Sequence, residues 1–328
     1  VAGQPVGFIR SDFAAKLADF GKAFRVSPKE VTLLGTEAGD EADDFDSRSL
    51  VIARACAALV AAGHLPRSRQ ELYPVIPKID AEPLLQIDRA WVPSFGTIAT
   101  GVHVNGFVAT PEGPDLWIGI RARDRGVAPG KLDNMVAGGQ PIGISLAENL
   151  IKEAAEEADV PAELAATALP AGAVSYIMEV ENGLRRDVLY IYDLALPEDF
   201  KPRNTDGEAE GFVRWPAHRA LRVVRETEEF KFNVALVIID FALRHGLIDG
   251  TEPRYAALLD GATPASRSDR RFCARSRLAR RRPLSSVSSG WWCHSGTGRS
   301  SSACSSRCRC VAGSRSSARV TSVTSSGA

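Results

Sequence analysis

Ala137–Val160 reads AGGQPIGISLAENLIKEAAEEADV, and this stretch decides both the fold and the chemistry. Ser145 and Glu148 make an S-x-x-E capping box, so a helix is expected to start at Ser145. Leu146, Leu150, Ile151, Ala154 and Ala158 then recur at three- and four-residue spacing along one apolar face. Glu153, Glu156 and Glu157 stand three and four residues apart, which stacks them on adjacent turns of one surface. Like charges this close cost about 0.2–0.5 kcal/mol per pair unless a cation sits among them. Magnesium favours a few carboxylates, water and substrate phosphate over a closed protein cage, so such a ridge suits it. A solvated acidic helix face is the alternative. Gly138, Gly139 and Gly143, just ahead of the cap, favour the metal reading because they let the backbone approach a ligand or take positive φ.

Written by position, the segment is Gly138, five residues, Ile144, seven residues, then Lys152-Glu153-Ala154-Ala155-Glu156-Glu157-Ala158-Asp159-Val160. It resembles the Nudix box, whose pattern is Gly, five residues, Glu, seven residues, Arg-Glu-apolar-any-Glu-Glu-any-Gly-apolar. The glycine, the last three glutamates and both apolar positions match. Ile144 replaces a glutamate, which leaves the number of bound metals open. Lys152 replaces the arginine, keeping the charge without the planar fork that grips a carboxylate. Asp159 replaces the terminal glycine, a mild change because Asp tolerates the left-handed cap.

The resemblance implies an α/β/α sandwich with a mixed sheet and metal-assisted hydrolysis of a diphosphate. By the same resemblance Glu153, Glu156 and Glu157 hold Mg²⁺, with Mn²⁺ as a substitute and the Ala137 carbonyl as a further ligand, while Gly138 and Gly139 lie against substrate. Glu153 and Glu156 are the expected catalytic carboxylates. An extra acid is expected from the Asp206-Gly207-Glu208-Ala209-Glu210 loop, with Glu208 first and Glu210 second. Arg121 and Arg123, alternating on a strand ahead of the box, are expected to grip phosphate oxygens, together with Lys131 and Asp133. His103 in an apolar strand reads as a satisfied core residue, and Trp117, Tyr176 and Tyr190 as packing.

Further segments, Gly101–Gly106, Pro129–Asn134, Asp206–Glu208 and Phe230–Asn233, together with a helical N-terminal region, resemble the Nudix proteins related to the part fused to thiamine pyrophosphokinase in fungi. That implies thiamine diphosphate, or its damaged analogues, as substrate and the monophosphate as product. The rival reading, motivated by Ile144 and Lys152, is a weakly catalytic module that senses a nucleotide or diphosphate ligand. A Nudix-fold isomerase of isoprenoid diphosphates ranks last, because Cys56 is the sole thiol outside the tail.

The 328 residues, 45% of them hydrophobic, suffice for two compact domains. The pattern is mostly helical up to residue 94, as in FAAKLADFGKAF and SLVIARACAALVAAG. It then turns to strands from Phe95, with GVHVNGFVA, DLWIGIRAR, AVSYIMEV and VLYIYDLAL, the last two joined by an Asn182-Gly183 hairpin signal. A last helix is expected from near Phe230 to Gly246. The boundaries read as 1–94 for an N-terminal helical domain, 95–263 for the hydrolase domain and 264–328 for a tail.

That tail holds thirteen arginines, no lysine, one acid and five of the six cysteines, so the net charge of zero conceals an acidic body and a basic end. Its abrupt composition reads as out-of-frame translation, with a disordered nucleic-acid-binding arm as the alternative; Cys308 and Cys310 stand one residue apart and no paired C-x-x-C appears, which argues against a zinc module. One thiol in the body fits a reducing compartment. VAGQPVGFIR lacks the pattern of a secretory signal, and the best apolar run, Val51 to Gly63, is too short to span a bilayer. These features predict a soluble, cytoplasmic protein whose partner is a small-molecule diphosphate, with a homodimer left open.

Overall fold

The computed structural model describes residues 1–34 and 44–251; the expectations about the 264–328 tail lie outside the described residues. In chain order the elements are α1 (Ser11–Leu17), β1 (Phe24–Val26), β2 (Val31–Leu33), α2 (Phe45–Ala61), β3 (Leu72–Val75), β4 (Leu85–Asp88) and α3 (Val92–Phe95). They continue with β5 (Ile98–Thr110), β6 (Gly113–Arg121), β7 (Leu132–Asn134), β8 (Val136–Gly139), α4 (Leu146–Ala158), α5 (Ala162–Ala165), β9 (Leu169–Val180), β10 (Gly183–Ala195), β11 (Ala209–Pro216), α6 (Ala217–Glu226) and α7 (Phe232–Arg244).

A seven-stranded mixed sheet organises the second part. Its order is β11-β6-β5-β10-β9, with β5 and β10 parallel and the other pairs antiparallel. Strand β5 forks: Phe107–Thr110 pair with β6, whereas Gly101–Val104 pair with β8. Alternation along β5 sends Val104 and Val108 to one face, where α4 packs through Leu150, Ala154 and Ala158. On the other face, α6 and α7 cover Leu116 and Ile118, and Val237 of α7 joins Val174, Leu189 and Ile191. The layers are therefore helix, sheet, helix, as the box implied. The β9–β10 turn falls on Glu181-Asn182, one residue before the expected pair, with Gly183 at φ 144 beyond it.

The N-terminal part carries the expected helices and, in addition, two antiparallel pairs, β1–β2 and β3–β4. Helix α1 stops at Leu17 because the chain turns there into β1 after a short 3₁₀ segment. A separate core of Phe13, Leu17, Phe24, Ile52, Cys56, Leu59, Tyr73, Ile87, Trp91 and Phe95 holds these elements together. Cys56 is fully buried and burial pushes its thiol up, which suits packing and not nucleophilic work. Leu72 C=O accepts from Ile142 N at 2.9 Å and so joins the β3–β4 hairpin to the loop after β8.

Candidate active site

Helix α4 starts as its sequence dictates. Ser145 Oγ accepts from Glu148 N and Glu148 Oε2 accepts from Ser145 N, completing the capping box. At the other end Asp159 takes the left-handed cap with φ 53, the cost the missing glycine would have avoided. Arg203 pairs with that carboxylate, and Thr205 Oγ1 donates to Glu156 O. The 203–208 loop is thereby fixed to the end of α4. Inside the loop, Asn204 Oδ1 accepts from Gly207 N at 2.9 Å and Asp206 Oδ1 from Glu208 N at 2.8 Å.

This docking brings Glu157, Asp206 and Glu208 together, with one oxygen of each lying within 4.8 Å of the others. Glu157 is the inner member. Its Oε2 accepts from Ala137 N at 2.7 Å. Ala137 faces His103 across the β5–β8 ladder without exchanging hydrogen bonds with it, because in an antiparallel pair N–H and C=O of one residue point to the same edge. The Ala137 carbonyl therefore points to the free edge of β8 where Glu157 stands. Burial, opposed by the Ala137 hydrogen bond and reinforced by Glu153, Asp133 and Glu208, pushes the Glu157 carboxyl up to about 8. Crowded acid groups of this kind lower their own cost by sharing a cation.

Glu153 occupies a seat shaped by glycine. A Cβ on Gly138 would lie 2.2 Å from the Glu153 Cδ, so any larger residue there expels the carboxyl. Burial pushes Glu153 up, while Lys152 acts against that shift. Lys152 Nζ reaches Glu153 Oε1 at 3.2 Å and Glu156 Oε2 at 2.6 Å, spanning two carboxylates as an ammonium can. Glu156 is thus held by Lys152 on the exposed side and lies outside the three-carboxylate cluster.

Several expected substrate contacts are engaged elsewhere. Arg121 Nη1 donates to Asp133 Oδ2 at 2.6 Å and its Nη2 to Val127 O at 2.9 Å, so this pair braces the 122–130 loop instead of presenting an open fork. Burial opposes the Asp133 charge, but Lys231, His103 and Arg121 outweigh it and hold the carboxyl below its ordinary range. Lys131 Nζ donates to Glu228 O at 2.7 Å, away from the carboxylates. Arg121, Asp133 and Lys131 are thus engaged with one another or with neighbouring groups: a strand pattern shows which residues alternate, not which neighbours already satisfy them. Arg123 remains largely exposed, 3.4 Å from Glu210 Oε1, and that contact takes the second-choice acid Glu210 out of the cluster. Asp206 and Arg125, which sits 2.5 Å from Glu208, were not singled out by sequence; the Asp-Gly-Glu loop itself was the available signal.

His103 is a satisfied core residue. Its Nδ1 lies 2.8 Å from Asn134 Oδ1, and since Asn134 Nδ2 donates to Asn105 Oδ1 at 2.9 Å, the ring must carry its proton on Nδ1. Burial and then Lys231 press its pKa down to about 4. A depressed pKa means the unfolded chain binds the proton first, so stability falls as pH drops from about 6.5 through about 4. Melting temperatures across that window should show this decline, and His103→Gln should flatten its share of it.

Ile144 is half-buried at the helix start. Twelve residues of helix rise separate Ser145 from Glu157, roughly 18 Å. Ile144→Glu should therefore leave Mg²⁺ affinity unchanged within about twofold and lower stability by about 1 kcal/mol or less, as read by titration calorimetry and thermal melting.

The donor set is all hard oxygen, crowded and anionic, and it fits a divalent cation such as Mg²⁺. Among the described residues no helix is long and apolar enough to cross a membrane.

Comparison with known proteins places these observations in context. Residues 1–99 match a family described as a domain of unknown function, DUF4743. Nudix hydrolase 24, chloroplastic, from Arabidopsis thaliana is 42% identical over 257 residues, spanning 78% of this chain and 69% of that protein. Nudix hydrolase 20, chloroplastic, from the same plant is 39% identical over 267 residues, with the same coverage of each chain. A crystal structure of DR0079 from Deinococcus radiodurans aligns with a TM-score of 0.37 at 20% identity, over 51% of this chain and 97% of that one. The cytoplasmic expectation is overturned by the two plant relatives, both chloroplastic by name. One buried thiol does not single out the cytoplasm.

Proposed function

We propose that this chain, which belongs to the Nudix hydrolase family, uses Mg²⁺ to cleave the diphosphate of a small organic molecule, with thiamine diphosphate and its damaged analogues as the preferred substrates. The observation that carries the reading is the convergence of Glu157, Asp206 and Glu208 beside a glycine-seated Glu153. Glu157, Asp206 and Glu208 would hold the metal, with the Ala137 carbonyl on the same edge and Mn²⁺ as an alternative ion. When bound, such an ion neutralises diphosphate oxygens and acidifies water. Glu153 accepts the proton of the attacking water, a role that its half-buried, upward-shifted carboxyl supports. Lys152 keeps Glu153 and Glu156 oriented, and Arg125 holds Glu208 in place. Arg123, with its guanidinium exposed, contacts the phosphates as they enter.

The choice of thiamine diphosphate rests on the resemblance of Gly101–Gly106, Pro129–Asn134 and Phe230–Asn233, since fold and box do not fix a substrate. We further divide the chain into residues 1–94 and a catalytic part over 95–263; the separate N-terminal core supports that division. The test follows product formation by the full chain, as inorganic phosphate from thiamine diphosphate, its oxidised analogue and nucleoside diphosphates and as the two monophosphates from nucleoside diphosphate sugars, each with Mg²⁺, Mn²⁺ or chelator. Metal-dependent formation of the monophosphate from the thiamine compounds is expected. Release from the nucleotide compounds alone would reassign the substrate, and binding without release across the panel would favour a sensing module.

A further inference from the structure

The β3–β4 hairpin of the N-terminal part ends at the catalytic strand. A Cβ on Gly139 would lie 1.5 Å from the Tyr73 hydroxyl oxygen and 3.5 Å from the Arg89 Cζ, whereas one on the preceding Gly138 would strike Glu153. The two glycines therefore separate Glu153 on one face of β8 from Tyr73 and Arg89 on the other. Arg89 is placed with care. Asp88 accepts from Arg69 N, Gln70 N and Ala90 N and from Ser68 Oγ, while Arg89 N donates to Glu71 O at 2.8 Å. Its guanidinium lies 5.8 Å from the Tyr73 ring centroid, and Nη1 donates to Glu71 Oε2 at 2.7 Å.

Much of that guanidinium is unused. Its Nε and Nη2 have no partner among the described residues, and the side chain is 42% exposed. Burial works against its charge, yet Tyr73, Glu71 and Glu208 hold its pKa above the ordinary value. Arg89 stands against Gly139, the residue after the glycine that seats Glu153, and Glu208 of the carboxylate cluster is among the charges that act on it. A group carrying metal-paired and free phosphate oxygens meets both needs: the acids hold its cation and a planar fork takes the remaining charge.

We propose that Arg89, supplied by the N-terminal module of unknown function, is a phosphate-binding residue of the hydrolase site, positioned by Glu71 and Tyr73. The inference rests on the diphosphate reading above. It gives the module a role: the catalytic part alone presents metal ligands, and the hairpin adds the cation that grips the substrate. Tyr73 and Glu71 are positioning residues, since they act through Arg89.

The test compares wild type, Arg89→Ala, Arg89→Lys and, as a charge control, Arg25→Ala at the exposed position of β1. Inorganic pyrophosphate binding is measured by titration calorimetry in Mg²⁺, and KM and kcat are measured on whichever diphosphate the panel identifies. Arg89→Ala should weaken pyrophosphate at least tenfold and raise KM by a similar factor. Arg89→Lys should fall between, because it keeps the charge without the fork, and Arg25→Ala should match wild type. Thermal melting confirms that the variants fold, and Arg89→Lys keeps the test decisive if Arg89→Ala does not. Equal pyrophosphate binding by wild type and both Arg89 variants overturns the proposal, as does wild type that binds no pyrophosphate. Pyrophosphate binding that depends on Arg89 without release from any diphosphate would instead overturn the hydrolase reading and leave this one standing.

Discussion

Glu157→Gln is expected to slow turnover about a thousandfold at saturating Mg²⁺, on the order of 4 kcal/mol in barrier height. Glutamine keeps the shape and can still accept from Ala137 N, so the 2.7 Å contact that seats residue 157 survives. What disappears is the charge that the Glu157 carboxyl can contribute to the three-acid cluster once it ionises against a cation. The metal-free fold should not suffer, because the wild-type carboxyl is itself protonated over much of the neutral range, with a pKa near 8. Phosphate-release kinetics combined with thermal melting separate the two effects. Turnover above about a third of wild type would refute the place given to Glu157 in a Nudix-type diphosphate hydrolase.

Gly138→Ala is expected to cost about a hundredfold in kcat with little loss of stability, in line with the penalty for displacing a catalytic group by about 1 Å. Gly138 has no positive φ that alanine would strain. The added methyl meets the Glu153 carboxyl at 2.2 Å, a flexible side chain that yields before the backbone does. Activity therefore falls because Glu153 leaves its seat. A variant with wild-type kcat would show that the seat has no part in turnover, and one with a collapsed melting temperature would show that strand β8 had moved instead.

The two substitutions bear on how much was legible in the sequence. Ser145, Glu148 and the apolar spacing of α4 act within a few residues of each other, so helix and cap could be read directly, as could the strand segments that became β5, β6, β9 and β10. Contacts across long separations were not legible. Thr205 caps α4 from 49 residues away, and with the Arg203–Asp159 pair it explains why Asp206 joins Glu157. The same limit applied to Arg121, Asp133 and Lys131, whose charges are satisfied by one another, by Lys231 and by Glu228 O. The hairpins in the N-terminal part were missed for a related reason: β1 to β4 are three or four residues long, too short for alternation to show.

Among the described residues strand β8 pairs with β5 alone, so its outer edge carries main-chain groups that a stranger's strand would match. Side chains of α4 consume that edge: Glu157 takes the Ala137 N–H, and Asn149 Nδ2 donates to Gly139 O at 2.7 Å. Helix α4 therefore also closes an edge at which a strand could add. A chain that lost both Glu157 and Asn149 is expected to leave that edge open to a second copy of itself, which size-exclusion chromatography of the double variant would read as association.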